Sequence, residues 1–144
     1  MRTIFIIMIG LSGFILAQEA VETGIVIDST TGLVWQDNSE NNTTEYTWQE
    51  AIDYCEGLSL AGDDDWRLPN INEFKTIIDR SKIELAIVDG FEYIGVDNSY
   101  IYWSSSSFLN DENDEAWVVF FNNGIVSKEL KDESGYVRCV RAGE

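Results

Sequence analysis

The densest cluster of oxygen ligands in the sequence is Asp111-Glu112-Asn113-Asp114-Glu115, whose chemistry would be the capture of a hard cation such as calcium. Asp111, Asn113 and Glu115 alternate as such a loop needs, but Ala116 stands where the calcium loop takes glycine and no glutamate closes it. The segment therefore reads as a solvated acidic loop, with calcium as the competing reading. Asp63-Asp64-Asp65 is a second acidic run. Its like charges repel unless an arginine or an ion comes between them, and it reads as a turn cap. Ser104 to Ser107 would supply a nucleophile only beside an activating base, and there is no histidine in the sequence and no Ser-x-x-Lys arrangement. The missing histidine also removes Cys-His catalysis and the usual zinc ligand. Nothing singles out two carboxylates as a glycosidase pair. With 26 acidic residues against 9 basic ones and a formal net charge of −17, the chain lacks the basic patch that nucleic acid or an anionic membrane demands. No catalytic residue, metal or cofactor is expected.

The first 17 residues read as a secretory leader, with Arg2 as a short positive start, Ile4 to Leu16 as an apolar run and Ala17 before the cut. A retained anchor is the alternative, but the run is shorter than the roughly 20 residues a bilayer requires. Residues 18–144 contain no linker-like stretch and no internal repeat, so they read as one domain. In an oxidising destination the two cysteines, Cys55 and Cys139, read as one structural disulfide joining an early helix to a late strand.

The elements that must position these residues follow from periodicity and punctuation. Ile25 and Ile27, a turn at Ser29 to Gly32, and Leu33-Val34-Trp35 predict a hairpin. Thr47-Trp48-Gln49-Glu50 has the form of a capping box, and Trp48, Ile52, Cys55 and Leu58 recur at helical spacing before Gly57 or Gly62. Asn70-Ile71-Asn72-Glu73 starts a second helix with Ile71, Phe74, Ile77 and Ile78 on its apolar stripe. From Tyr100 onward strands dominate. Tyr100 to Ser104 forms one, Ala116 to Phe121 and Ile125 to Lys128 flank Asn122-Asn123-Gly124, and Tyr136 to Arg141 forms the last. With Asn123-Gly124 as a two-residue loop, Phe121 faces Val126 and Phe120 faces Ser127. Trp117, Val119 and Phe121 then share one face of the strand.

Taken in order, Gly32-Leu33-Val34-Trp35-Gln36-Asp37, Thr47-Trp48-x-x-Ala51-x-x-Tyr54-Cys55, Asp65-Trp66-Arg67-Leu68-Pro69-Asn70, Tyr102-Trp103-Ser104-Ser105-Ser106, Ala116-Trp117-Val118-Val119 with Phe121-x-Asn123-Gly124, and Val137-Arg138-Cys139-Val140-Arg141 resemble the C-terminal domain of the Legionella collagen-like adhesin. The resemblance runs from Gly32 to Arg141. It implies an α+β, C-type-lectin-like fold: two helices on small antiparallel sheets, with Cys55 and Cys139 matching the long disulfide that ties the first helix to the last strand. The related formylglycine-generating enzymes share a Trp-Arg-Leu-Pro segment, but their chemistry uses reactive cysteines, and here both occupy structural positions.

The expected function is that of a secreted or surface-exposed lectin-like binding or adhesion domain without catalytic activity. The runner-up is a structural, protein-binding component of an envelope or secreted assembly. The sulfated ligands of the founding adhesin are disfavoured by the acidic charge, and the sequence lacks the sugar-holding Glu-Pro-Asn, Gln-Pro-Asp and Trp-Asn-Asp motifs of calcium-dependent lectins. The ligand is thus an extracellular glycan or protein. The expected contact surface is Phe108, Asn110, Asp111, Asn113, Phe120, Asn122 and Lys128, with Phe120 either an exposed aromatic of that surface or covered by a second layer.

Overall fold

A computed structural model describes residues 4–11, 14–21, 24–95, 100–110 and 112–144, with side chains from residue 24 onward. At the N-terminus β1 (Ile4–Leu11) and β2 (Phe14–Val21) pair with each other as a separate antiparallel ladder. The expected leader covers β1 and part of β2. No helix among the described residues is long and apolar enough to cross a membrane.

The predicted first hairpin forms as β3 (Ile25–Ile27) and β4 (Leu33–Gln36). Its turn is held by Asp28, whose carboxylate accepts from the Thr30 amide and the Thr31 hydroxyl. These bonds hold the Asp28 carboxyl below its usual range. Beyond it come a short 3-10 turn at Ser39–Asn42 and β5 (Glu45–Tyr46). Then α1 (Trp48–Glu56) and α2 (Ile71–Ile77) start at the two predicted capping boxes, Thr47 with Glu50 and Asn70 with Glu73. Gly57 ends α1. The chain closes with β6 (Ile101–Leu109), β7 (Asp114–Phe120), β8 (Ile125–Leu130), β9 (Gly135–Tyr136) and β10 (Val140–Ala142).

The strands make a three-stranded sheet in the order β10-β4-β3 and a five-stranded one in the order β5-β9-β6-β7-β8. All ladders are antiparallel except the short contact of β6 with β9, where Tyr102 meets Tyr136 in parallel. Period-two alternation sends neighbouring residues of the larger sheet to opposite faces. Ile101, Trp103, Ala116 and Val118 join the cluster under α1 with Ala51, Cys55, Trp66 and Leu68. Tyr102, Val119 and Phe121 join the cluster under α2 with Trp35, Phe74 and Ile77. The sheet is thus a wall between two apolar cores, one helix on each side. Cys55 and Cys139 are bonded, both fully buried, with Cα atoms 5.5 Å apart. The bridge ties α1 to the residue just before β10.

Two details of the strand reading are corrected. The loop between β7 and β8 has four residues, Phe121 to Gly124, so Phe120 faces Ile125 and Val118 faces Ser127. Phe121 leaves the ladder because its ring is drawn into the core, 5.1 Å from Tyr102 and 5.8 Å from Phe74 between centroids, a burial worth roughly 1.5–3 kcal/mol. The slip is two residues, so each side chain of β7 keeps its predicted face. The last strand is also interrupted: residues 137–139 lie between β9 and β10. Side chains share that backbone with β4: Asn41 donates to the Val137 carbonyl at 2.9 Å, the Gln36 side chain accepts from the Cys139 amide at 3.2 Å, and the Gln36 backbone amide donates to the Cys139 carbonyl at 2.9 Å.

Candidate functional site

The β6–β7–β8 register brings three side chains together on one open face. Phe108 lies diagonal to Trp117, and Trp117 lies opposite Lys128. The Phe108 and Trp117 rings meet edge to face with centroids 5.5 Å apart, and the Lys128 ammonium sits 3.7 Å above the Phe108 ring. Both aromatic rings are half-buried, while Lys128 is exposed. Such aromatic and cation–π contacts contribute roughly 0.5–1.5 kcal/mol each and hold the three groups as one unit. Five other cations are paired with carboxylates, Arg67 with Glu73, Lys82 with Asp89, Lys131 with Asp114, Arg138 with Asp37 and Arg141 with Asp63 and Asp65, while Lys75 and Arg80 have no carboxylate partner among the described residues. Lys128 has no carboxylate partner among the described residues. The arrangement can offer an aromatic surface and one positive charge to a ligand.

The expected contact residues are only partly gathered. Phe108 and Lys128 stand together. Asn110 is at the same end of the hairpin and organises its turn, accepting from the Glu112 and Asn113 amides at 2.7 and 2.8 Å and donating to Glu115 at 2.9 Å. Asn113 is exposed beside it. Asp111 lies outside the described residues. Phe120 and Asn122 are at the opposite end of β7, and Phe120 is half-buried against the core under α1, on the face away from Trp117. The covered reading of Phe120 is the one the structure supports, because even-numbered residues of β7 turn toward α1. Trp117, half-buried on the face it shares with Val119, was not among the expected contact residues; the four-residue loop sets it across from Lys128.

The groups that resembled chemistry are used for structure. The Ser104 hydroxyl donates to the Trp117 carbonyl at 2.7 Å, and the Ser106 hydroxyl accepts from the Ile71 amide at 3.0 Å. These serines fill an irregularity in β6 between Trp103 and Ser107. The acidic run at 63–65 is held by Arg141, which donates to Asp65 at 2.6 Å and approaches Asp63 at 3.4 Å. The Arg141 hydrogen bond holds the Asp65 carboxyl below its usual range. Among the described residues no group of three or more Cys, Asp or Glu side chains is disposed to hold a metal ion.

The interior carries one wholly buried cation. Arg138 donates to the Gln36 carbonyl at 2.5 Å, to the Asp37 carboxylate at 2.9 Å and to the Tyr93 carbonyl at 2.5 Å, with its guanidinium 4.9 Å from the Phe91 ring. Asp37 completes the network by accepting from the Glu92 and Tyr93 amides at 3.0 and 3.1 Å. It therefore fastens β4, the 91–93 segment and the tail of the chain to one another. Nearby, Tyr54 accepts from Gln36 at 2.8 Å and donates to Glu40. Burial first, and Glu40 second, push its phenol far above its ordinary value.

Among curated proteins none matches the chain. A family model matches residues 24–141, which is most of the sequence and takes in both cysteines, both capped helices and the β6–β8 face. The chain belongs to the Lcl C-terminal domain family.

Proposed function

We propose that the chain is an exported adhesion domain of C-type-lectin-like fold that binds an extracellular glycan or protein without chemistry. The observation that carries the reading is the Phe108–Trp117–Lys128 unit: half-buried aromatic area beside an exposed cation that has no carboxylate partner among the described residues. Aromatic rings flanked by polar groups suit both sugar faces and protein hot spots. Family membership and the buried disulfide support the adhesive and extracytoplasmic parts of the reading. Both cysteines are spent in the disulfide and the Ser104 hydroxyl donates to the Trp117 carbonyl, which supports a reading without cysteine or Ser104 chemistry. Sulfated polyanions are disfavoured as ligands by the net charge of −17.

The test is a glycan array and a cell-surface binding assay run with the wild type, Trp117→Ala and Lys128→Ala. Dose-dependent binding that falls at least about tenfold in Trp117→Ala, as loss of an aromatic anchor predicts, with the thermal midpoint retained, supports the reading. Ligands bound equally by all three proteins would reject this face.

A further inference from the structure

The smaller sheet ends on β3, and no strand pairs with that edge among the described residues. In the β3–β4 ladder the Asp37 amide donates to the Gly24 carbonyl at 2.8 Å and the Asp28 amide to the Leu33 carbonyl at 2.9 Å. With Val26 opposite Trp35, the residues hydrogen-bonded to β4 are Gly24, Val26 and Asp28. The backbone groups of Ile25 and Ile27 therefore point the other way, to the side where no strand pairs among the described residues. The Ile27 side chain is 67% exposed. Such an edge is a template for another strand.

Two cavities flank this edge and share Val26. One, of about 440 Å³, lies toward Gly24 and Ile25 and reaches Gly90, Glu92 and Tyr93. The other, of about 460 Å³, lies toward Ile27 and Asp28 and reaches Val88, Asp89 and Phe91. Together they give space along β3 on both sides of Val26, which side chains of an added strand, projecting at alternate positions, could enter. Their walls carry Asp28, Asp37, Asp89 and Glu92, and no Lys or Arg. Asp37 is neutralised by Arg138 and Asp89 is paired with Lys82, whereas Glu92 and Asp28 have no cationic partner among the described residues.

We propose that the β3 edge takes an extended, lysine- or arginine-bearing segment of a partner protein by strand addition. The backbone supplies the affinity and the two acidic cavities select basic side chains. The charge of the chain argues for that occupant over a second copy, because pairing two β3 edges would set Asp28 and Glu92 of both copies against each other.

The test uses the full chain and a fluorescein-labelled acetyl-Val-Lys-Val-Lys-Val-Lys-amide followed by anisotropy, with the corresponding Val-Glu peptide as control. Ile27→Pro removes one outward amide and leaves the Val26 and Asp28 bonds to β4 intact, since edge positions tolerate proline. Expected results are binding of the lysine peptide at least about tenfold tighter than the glutamate one, and loss of about tenfold or more in Ile27→Pro. Ile27→Thr, which keeps the amide, should bind as the wild type does. Glu92→Gln should weaken binding severalfold, and Trp117→Ala should leave it unchanged, which separates this edge from the β6–β8 face. Absence of lysine-peptide binding, equal binding of the two peptides, or equal binding by wild type and a folded Ile27→Pro would overturn the proposal. So would a dimer in sedimentation that Ile27→Pro dissolves, because the occupant would then be a second copy.

Discussion

The Arg138 guanidinium stands 2.9 Å from the Asp37 carboxylate, with the arginine wholly buried and the aspartate nearly so. A buried pair contributes little over an apolar replacement, yet breaking it leaves one charge uncompensated. Asp37→Ala is expected to destabilise the domain by about 3–5 kcal/mol in urea denaturation. Asp37→Ala combined with Arg138→Met should cost clearly less than the two single changes added. Additive costs would show that the two groups are not coupled.

The Cys55–Cys139 bridge closes a separation of 84 residues. On the loop-entropy model, that closure stabilises the fold by about 4 kcal/mol. The Cys55→Ala/Cys139→Ala protein should lose about that amount in guanidinium denaturation, and the wild type in reductant should match it. A double variant as stable as the oxidised wild type would remove the bridge from the stability of the domain.

Acid should unfold the protein through identifiable carboxylates. Burial tends to raise Glu73, but the Arg67 fork at 2.6 and 2.7 Å and the Asn70 amide outweigh it and hold Glu73 below its usual range. Asp79 is lowered by the Ser81 hydroxyl and amide, and Asp65 by Arg141. A carboxyl lowered in the folded state stabilises that state above its unfolded value, roughly pH 4, and the contribution is lost as pH falls through the folded value. Urea midpoints should hold steady near neutrality and fall below about pH 4, less steeply in Glu73→Gln. An acid limb identical in wild type and Glu73→Gln would disprove the assignment.

Gly124 has φ +75°, and a Cβ placed on it would lie 3.0 Å from Ile78 and 3.1 Å from Ala86. Gly124→Ala should cost about 1–3 kcal/mol, the range for a strained left-handed residue. Neighbouring Asn123 is exposed and accepts only from the Ile125 amide at 3.0 Å, so Asn123→Ala should cost less than about 1 kcal/mol. Comparable midpoint losses in the two variants would show that the turn does not need glycine.

Local signals in the sequence carried much of this fold. Both helix starts were legible because Thr47 with Glu50 and Asn70 with Glu73 cap by side chains three residues apart. The first hairpin was legible from Ile25, Ile27 and the Gly32 turn. The β7–β8 loop was not, because Asn123-Gly124 has the form of a two-residue turn. The competing pull on Phe121 comes from Phe74 and Tyr102, which are remote in sequence. Residues 136–141 alternate like a strand, and the buried Gln36 and Asn41 side chains that interrupt it lie about a hundred positions away. Phe108 and Lys128 were expected on one contact surface and their side chains do meet, whereas the placing of Trp117 across from Lys128 depended on a register that pattern alone did not supply.

Along β7 the consecutive residues Val118 and Val119 are both fully buried, yet they belong to different cores. A shared wall of this kind leaves neither core a route to melt alone, because opening one face strips the support from the other. The domain should therefore lose α1 and α2 in a single event, with matching transitions for near-ultraviolet and far-ultraviolet signals and calorimetric and van't Hoff enthalpies that coincide.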